Sequence, residues 1–101
     1  MKIAIGNDHA GTEYKLAILG LLKSLNIEVI NHGTDGTDSV DYPDYGQKAA
    51  AALADGQAEF AVIICGTGIG ISIAANRFSH VRAALCHCGV AARLARQHND
   101  A

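Results

Sequence analysis

From position 61 to 76 the chain reads Ala-Val-Ile-Ile-Cys-Gly-Thr-Gly-Ile-Gly-Ile-Ser-Ile-Ala-Ala-Asn. A β-favouring apolar run stops at a cysteine, turns on three glycines and resumes as an apolar face at helical spacing. That order specifies a buried strand feeding directly into a helix, the unit from which parallel sheets are built. It also constrains chemistry. Unpaired N–H groups at a helix start carry partial positive charge, so the glycine turn is suited to hold an anion beside Cys65 and favours the thiolate of that residue.

The same alternation runs through the rest of the sequence and predicts four βα units. Strands are expected over 2–6, 27–31, 60–65 and 81–86, with helices over 12–25, 44–54, 68–78 and 89–96. In the first helix Ile18, Leu21, Leu22 and Leu25 recur at three- and four-residue spacing, and Asp44 with Gln47 reads as an N-cap pair for the second. The predicted fold class is therefore α/β, a Rossmann-like three-layer αβα sandwich around a parallel sheet, in one domain spanning residues 1–101.

Composition excludes several function classes. The formal net charge is −2 and the Lys and Arg residues are scattered, so no basic stripe tracks a nucleic-acid backbone. No apolar run approaches the roughly 18 to 20 residues needed to cross a bilayer, and residue 2 already enters a strand where a targeting segment would begin with basic residues. The expectation is a soluble cytoplasmic protein. Cys65, Cys86 and Cys88 are an odd count without a secretion signal, which predicts free thiols in a reducing compartment. Cys86-His87-Cys88 lacks the second Cys/His pair that structural zinc requires. Asp35, Asp38, Asp41 and Asp44 fail the calcium-loop spacing, because counting from Asp35 puts Gly46 at the twelfth place; a solvated acidic loop is expected, and no metal.

Ligands of open parallel sheets collect outside the carboxyl ends of the strands. Two polar sets fall there, Asp8-His9 after the first strand and Cys65-Gly66-Thr67-Gly68-Ile69-Gly70 after the third, and both are expected to face one crevice. Taken alone, Asp8-His9 also reads as a turn that caps the next helix. The glycine loop is no Walker A motif, since no Gly-Lys-Ser/Thr follows, and lacks the spaced dinucleotide fingerprint. A cysteine phosphatase would need arginine six residues beyond the cysteine, where this chain has Ile71. A noncatalytic sugar-phosphate or nucleotide-binding module remains a second reading.

Gly6-Asn7-Asp8-His9-Ala10-Gly11, Asp41-Tyr42-Pro43, the run from Ile64 to Arg77 and the closing Arg96-Gln97-His98-Asn99-Asp100 together resemble the ribose-5-phosphate isomerase B family, whose nearest relatives are galactose-6-phosphate isomerase subunits. The resemblance implies interconversion of ribose 5-phosphate and ribulose 5-phosphate, without metal or organic cofactor, in a homodimer or larger homo-oligomer with shared sites. It implies that Cys65 is the base, that His98 opens the sugar ring, and that the loop of Gly66, Thr67, Gly68, Ile69 and Gly70 holds the enediolate; by its hydroxyl, Thr67 also suits steadying the thiol or a substrate oxygen. Asp8 would bind near the sugar hydroxyls, His9 toward the phosphate and Asn99 at the reacting end, with His98 and Asn99 reaching the site from the neighbouring subunit. It further implies that a C-terminal strand, a long helix and phosphate-gripping arginines follow the last residue here, and that without them a sheet edge and apolar surface lie open.

Overall fold

The computed structural model describes all 101 residues. Three parallel strands, β1 (Lys2–Asn7), β2 (Glu28–Asn31) and β3 (Phe60–Ile64), form one sheet in the order β2-β1-β3. Four helices accompany them: α1 (Thr12–Ser24), α2 (Tyr42–Ala54), α3 (Ile69–Ala75) and α4 (Gly89–Asn99), with a 3-10 turn at His9–Gly11 between β1 and α1.

The central strand divides the core by alternation. Ile3 and Ile5 turn to one face and pack with Leu22, Ile18 and Leu19 of α1. Ala4 turns to the other and packs with Ala49 and Ala52 of α2. The second face is built of small side chains, so α2 lies close to the sheet: a Cβ on Gly6 would stand 2.5 Å from the Tyr45 carbonyl oxygen. Gly46 does the same for the next contact, since a Cβ there would meet Ile71 of α3 at 2.8 Å. These approaches set the three layers and bring α3 against α2 beside the end of β3.

Several expectations need correction. The fourth strand does not form: residues 81–86 run without β pairing, and the amides of Arg82, Ala84, Leu85 and Cys86 find no acceptor. The Asn76 side chain holds this segment midway, accepting from the Ala83 amide at 2.7 Å and donating to its carbonyl at 2.8 Å. The reason is geometric, because a short apolar run makes a strand only where another strand lies at ladder distance. Between the outer edge of β3 and residues 80–87 there is instead a cleft of about 1040 Å³. Asp44 is not the cap of α2. The helix starts earlier, with Asp41 at the N-cap position and Pro43 in its first turn, where a missing N–H costs nothing. On α1, Leu21 and Leu25 point to solvent while Leu19 packs inward, which turns the buried stripe from the expected one. No helix is long and apolar enough to cross a membrane.

Candidate active site

β1 and β3 are hydrogen-bonded neighbours, and their register pairs Asn7 with Ile64. The next residues along each strand are Asp8 and Cys65, so the ladder itself sets the two polar groups side by side at the carboxyl edge. The Asp8 amide extends the ladder by donating to the Ile64 carbonyl at 3.2 Å. Gly11 presses against Ile64, where a Cβ would stand 2.8 Å from its methyl group, and this close approach draws the His9–Gly11 turn over the end of β3. Asp8 thus lies next to Cys65 in the ladder, while the cleft beside β3 is lined by Cys65, Gly66, Thr67 and Gly68 and not by Asp8 or His9.

The capping reading of Asp8 holds. One carboxylate oxygen caps the turn by accepting from the Ala10 amide at 3.0 Å, while the other makes no hydrogen bond within the chain. His9 accepts the Val40 amide on Nδ1 at 3.1 Å. A neutral imidazole bonded in this way carries its proton on Nε2 and presents a donor there.

At Cys65 the loop is shaped around the sulfur. The Gly68 amide donates to Sγ at 3.2 Å. Gly68 has φ +78°, a left-handed conformation that glycine adopts without cost, and Leu85 leaves no room for a Cβ there. The amides of Gly66 and Thr67 donate to nothing in the chain. Thr67 Oγ1 accepts from the Ile69 amide at 3.1 Å, so it fixes the loop and retains its hydroxyl proton for an outside acceptor. The helix that follows covers only Ile69–Ala75, shorter than expected, so individual loop amides rather than a long helix dipole face the sulfur.

Tyr42, at the start of α2, closes the loop from above. A Cβ on Gly70 would meet its ring at 2.5 Å, so the two surfaces touch only because Gly70 is bare. Sequence periodicity gave no sign of that contact; the strand ends and the Pro43 start of α2 produce it.

The remaining expected residues are not gathered here. His98 and Asn99 are exposed in the last turn of α4, a helix that buries none of its residues, and neither lines the cleft beside Cys65. Arg82 and Arg96 both pair with Asp100, and Arg96 stacks on Phe60 at 5.1 Å, at the opposite end of β3 from Cys65. Cys86 and Cys88 are free and exposed, and no group of three His, Cys, Asp or Glu side chains is placed to hold a metal ion.

Comparison with known proteins matches this arrangement along its length. A family model described as Ribose/Galactose Isomerase covers residues 3–101. Ribose-5-phosphate isomerase B of Escherichia coli is 46% identical over 99 residues, which are 98% of this chain and 66% of that protein. A galactose-6-phosphate isomerase subunit of Clostridium acetobutylicum is 42% identical over the whole chain and 58% of its own length. Among solved structures, ribose-5-phosphate isomerase B of Clostridium thermocellum superposes with a TM-score of 0.98 at 51% identity, over 100% of this chain and 68% of that one. The protein from Thermotoga maritima gives 0.96 at 50%, over 99% and 69%. The chain thus spans about two thirds of the length of the relatives it matches, with the α/β Rossmann-like fold they share. By its sequence over residues 3–101 and by its fold, this chain belongs to the ribose/galactose isomerase family.

Proposed function

We propose that the chain forms the catalytic part of an aldose-ketose isomerase that interconverts ribose 5-phosphate and ribulose 5-phosphate. The observation that carries this reading is Cys65 at the carboxyl end of β3, with one loop amide on its sulfur and the neighbouring amides of Gly66 and Thr67 unengaged. Isomerisation needs a base for a weakly acidic proton beside a carbonyl, and donors for the oxygen that becomes negative. As the thiolate, Cys65 takes the proton from carbon 2 of the open-chain aldose. The electrons of that C–H bond form the carbon–carbon double bond, and the carbonyl pair moves to the oxygen on carbon 1. The loop from Gly66 to Gly70 meets that charge; each oxyanion donor of this type contributes on the order of 3 kcal/mol. Return of the proton to carbon 1, with the hydroxyl proton of the oxygen on carbon 2 passing to the oxygen on carbon 1, gives the ketose. No metal or organic cofactor takes part.

In this reading Asp8 binds the sugar hydroxyls through its free carboxylate oxygen, His9 donates from Nε2 toward the phosphate, and Thr67 gives its hydroxyl proton to the thiolate or a substrate oxygen. His98 opens the ring and Asn99 holds the reacting end, both from a second subunit of a homodimer. An α4 that buries nothing within its own chain supports a partner against it. The enzyme works in the cytoplasm, within pentose phosphate metabolism.

The test is an isomerisation assay of the complete gene product on ribose 5-phosphate, with solvent hydrogen exchange at the migrating position. Cys65→Ala is expected to lower turnover of the open-chain sugar by about 10² to 10⁴-fold. His98→Ala is expected to slow chiefly the reaction from the cyclic form, and equal losses on both forms would refute that division of labour. A six-carbon substrate is the second reading, favoured by the 42% identity to a galactose-6-phosphate isomerase subunit. Allose 6-phosphate and galactose 6-phosphate in the same assay separate the two. Binding of ribose 5-phosphate without turnover would leave a noncatalytic module.

A further inference from the structure

Lys15 is the largest fully buried side chain of the protein, and it stands on α1 away from the loop at Cys65. A buried ammonium is retained only where its protons are taken up. Lys15 Nζ donates to Asn31 Oδ1 at 3.4 Å, to the Thr34 carbonyl and to the Asp35 carboxylate, so all its partners lie in one stretch of five residues that begins with the last residue of β2. Two other side chains grip the same stretch. Asn7 Nδ2 donates to the Thr34 carbonyl at 3.1 Å, and Thr12 Oγ1 donates to the Gly36 carbonyl at 2.8 Å. Gly33 lies so close over Asn7 that a Cβ would collide with the Asn7 amide oxygen.

Four residues beyond this anchorage, the chain returns to the site, where the Val40 amide donates to His9 Nδ1. The segment from Asn31 to Val40 is thus an arch, fixed at one foot by a buried cation and resting at the other on the His9 imidazole. We infer that Lys15 is a positioning residue: by clamping Asn31, Thr34 and Asp35 it places the Val40 amide that holds His9 in the tautomer with the proton on Nε2. The inference rests on the reading above in giving His9 a substrate anion to meet, and its chemistry follows directly. With Nδ1 occupied by a donor, only Nε2 carries hydrogen, and an imidazole aimed at phosphate must present a donor. Released from Val40, the ring loses the bond that selects this tautomer and half its aim.

The test uses ¹⁵N-labelled protein above the ordinary imidazole titration range of about 6.5, reading the His9 ring nitrogens and the exchange rate of the Val40 amide. The native protein is expected to show the Nε2–H tautomer and a protected Val40 amide. Lys15→Met is expected to mix the tautomers and to speed Val40 exchange by about tenfold or more. KM for ribose 5-phosphate should rise about fivefold or more while kcat changes by less than about twofold, the pattern of lost ground-state binding. Val40→Pro removes the donor with Lys15 intact and should reproduce the tautomer change. Where Lys15→Met does not fold, Asp35→Ala, which takes away one exposed partner of the cation, is expected to speed Val40 exchange in a folded protein. An unchanged His9 tautomer in these variants, with unchanged Val40 exchange in Lys15→Met or Asp35→Ala, would overturn the inference. Absence of isomerase activity in the native protein would instead refute the function while leaving the tautomer measurement valid.

Discussion

Residues 2–75 and residues 80–101 are built from the same vocabulary, yet they differ in how much of it is used. In the first region, β1 hydrogen-bonds on both sides, Ile5 and Ile71 are fully buried, and glycines are spent where backbones touch. In the second, residues 81–86 have four amides without acceptors and α4 buries no residue. The difference teaches where stability resides. Pattern supplies elements, but only closure against a neighbour converts them into protected structure. Cys65 and Asp8 lie on the closed side of that boundary; His98 and Asn99 lie on the open side.

Hydrogen exchange in the 101-residue chain gives the largest expected contrast. Amides of β1 should exchange on the order of a thousandfold more slowly than those of Arg82, Ala84, Leu85 and Cys86, which have no acceptor to break from. Comparable protection in the two regions would mean that residues 81–86 pair in solution, and the comparison would fall. Substitutions sharpen the same point. Ile5→Ala empties a fully buried site and should cost about 3 kcal/mol in denaturant unfolding. Leu94→Ala on exposed α4 should stay within about 0.5 kcal/mol.

The closed region was largely legible in the sequence for that reason. Ile3, Ala4 and Ile5 alternate as a central strand must, and the run into Cys65 followed by three glycines marks a strand, a turn and a helix in order. Its placement beside Asp8 follows from the strand-end rule for parallel sheets. Residues 81–86 form a similar short apolar run, broken only by Arg82, but pairing is a property of two segments, and a sequence pattern describes one. The cap of α2 is ambiguous in the sequence because Asp44 and Asp41 both suit an N-cap, and the choice falls to Pro43, which fits the first helical turn. Lys15 gave no signal at all: a lysine in an amphipathic helix reads as solvated unless its partners, here 16 to 20 residues away, are known. His98 and Asn99 were singled out only by resemblance, and within one chain nothing holds them.

Acid titration reaches a smaller effect, within the closed region. The hydrogen bond from Lys15 holds the Asp35 carboxyl below its ordinary value of 3.8, helped by a hydrogen bond from Asn31 and by the charge of Lys15. A folded-state value below the unfolded one means stability that is fully present above pH 3.8 and is lost as the pH falls through the lower folded value. Asp35→Asn should therefore weaken the protein at neutral pH and converge with the native protein in strong acid. The carboxylate is 76% exposed, so solvent screening keeps the difference well below that of Ile5→Ala. A gap that persists below the titration would assign the loss to the arch itself rather than to charge.

The smallest expected effect tests the open region by its strongest-looking contacts. Arg82 reaches from the 81–86 segment to the end of α4, donating from Nε to the Asp100 carbonyl at 3.0 Å and from its guanidinium to the Asp100 carboxylate at 2.9 Å. Arg96 grips the other carboxylate oxygen and stacks on Phe60. By count this is a network, but its side chains are 45 to 68% exposed, and ion pairs in that environment return little beyond the entropy they cost. Arg82→Ala should change global stability by about 0.5 kcal/mol or less, and 1 M salt should erase most of that. Its local effect should be larger than its global one: exchange should quicken at Ala101, whose amide bonds to the Ala95 carbonyl, while β1 stays as it was. A loss above about 2 kcal/mol, spread to β1, would show that the end of α4 is a working part of the closed region.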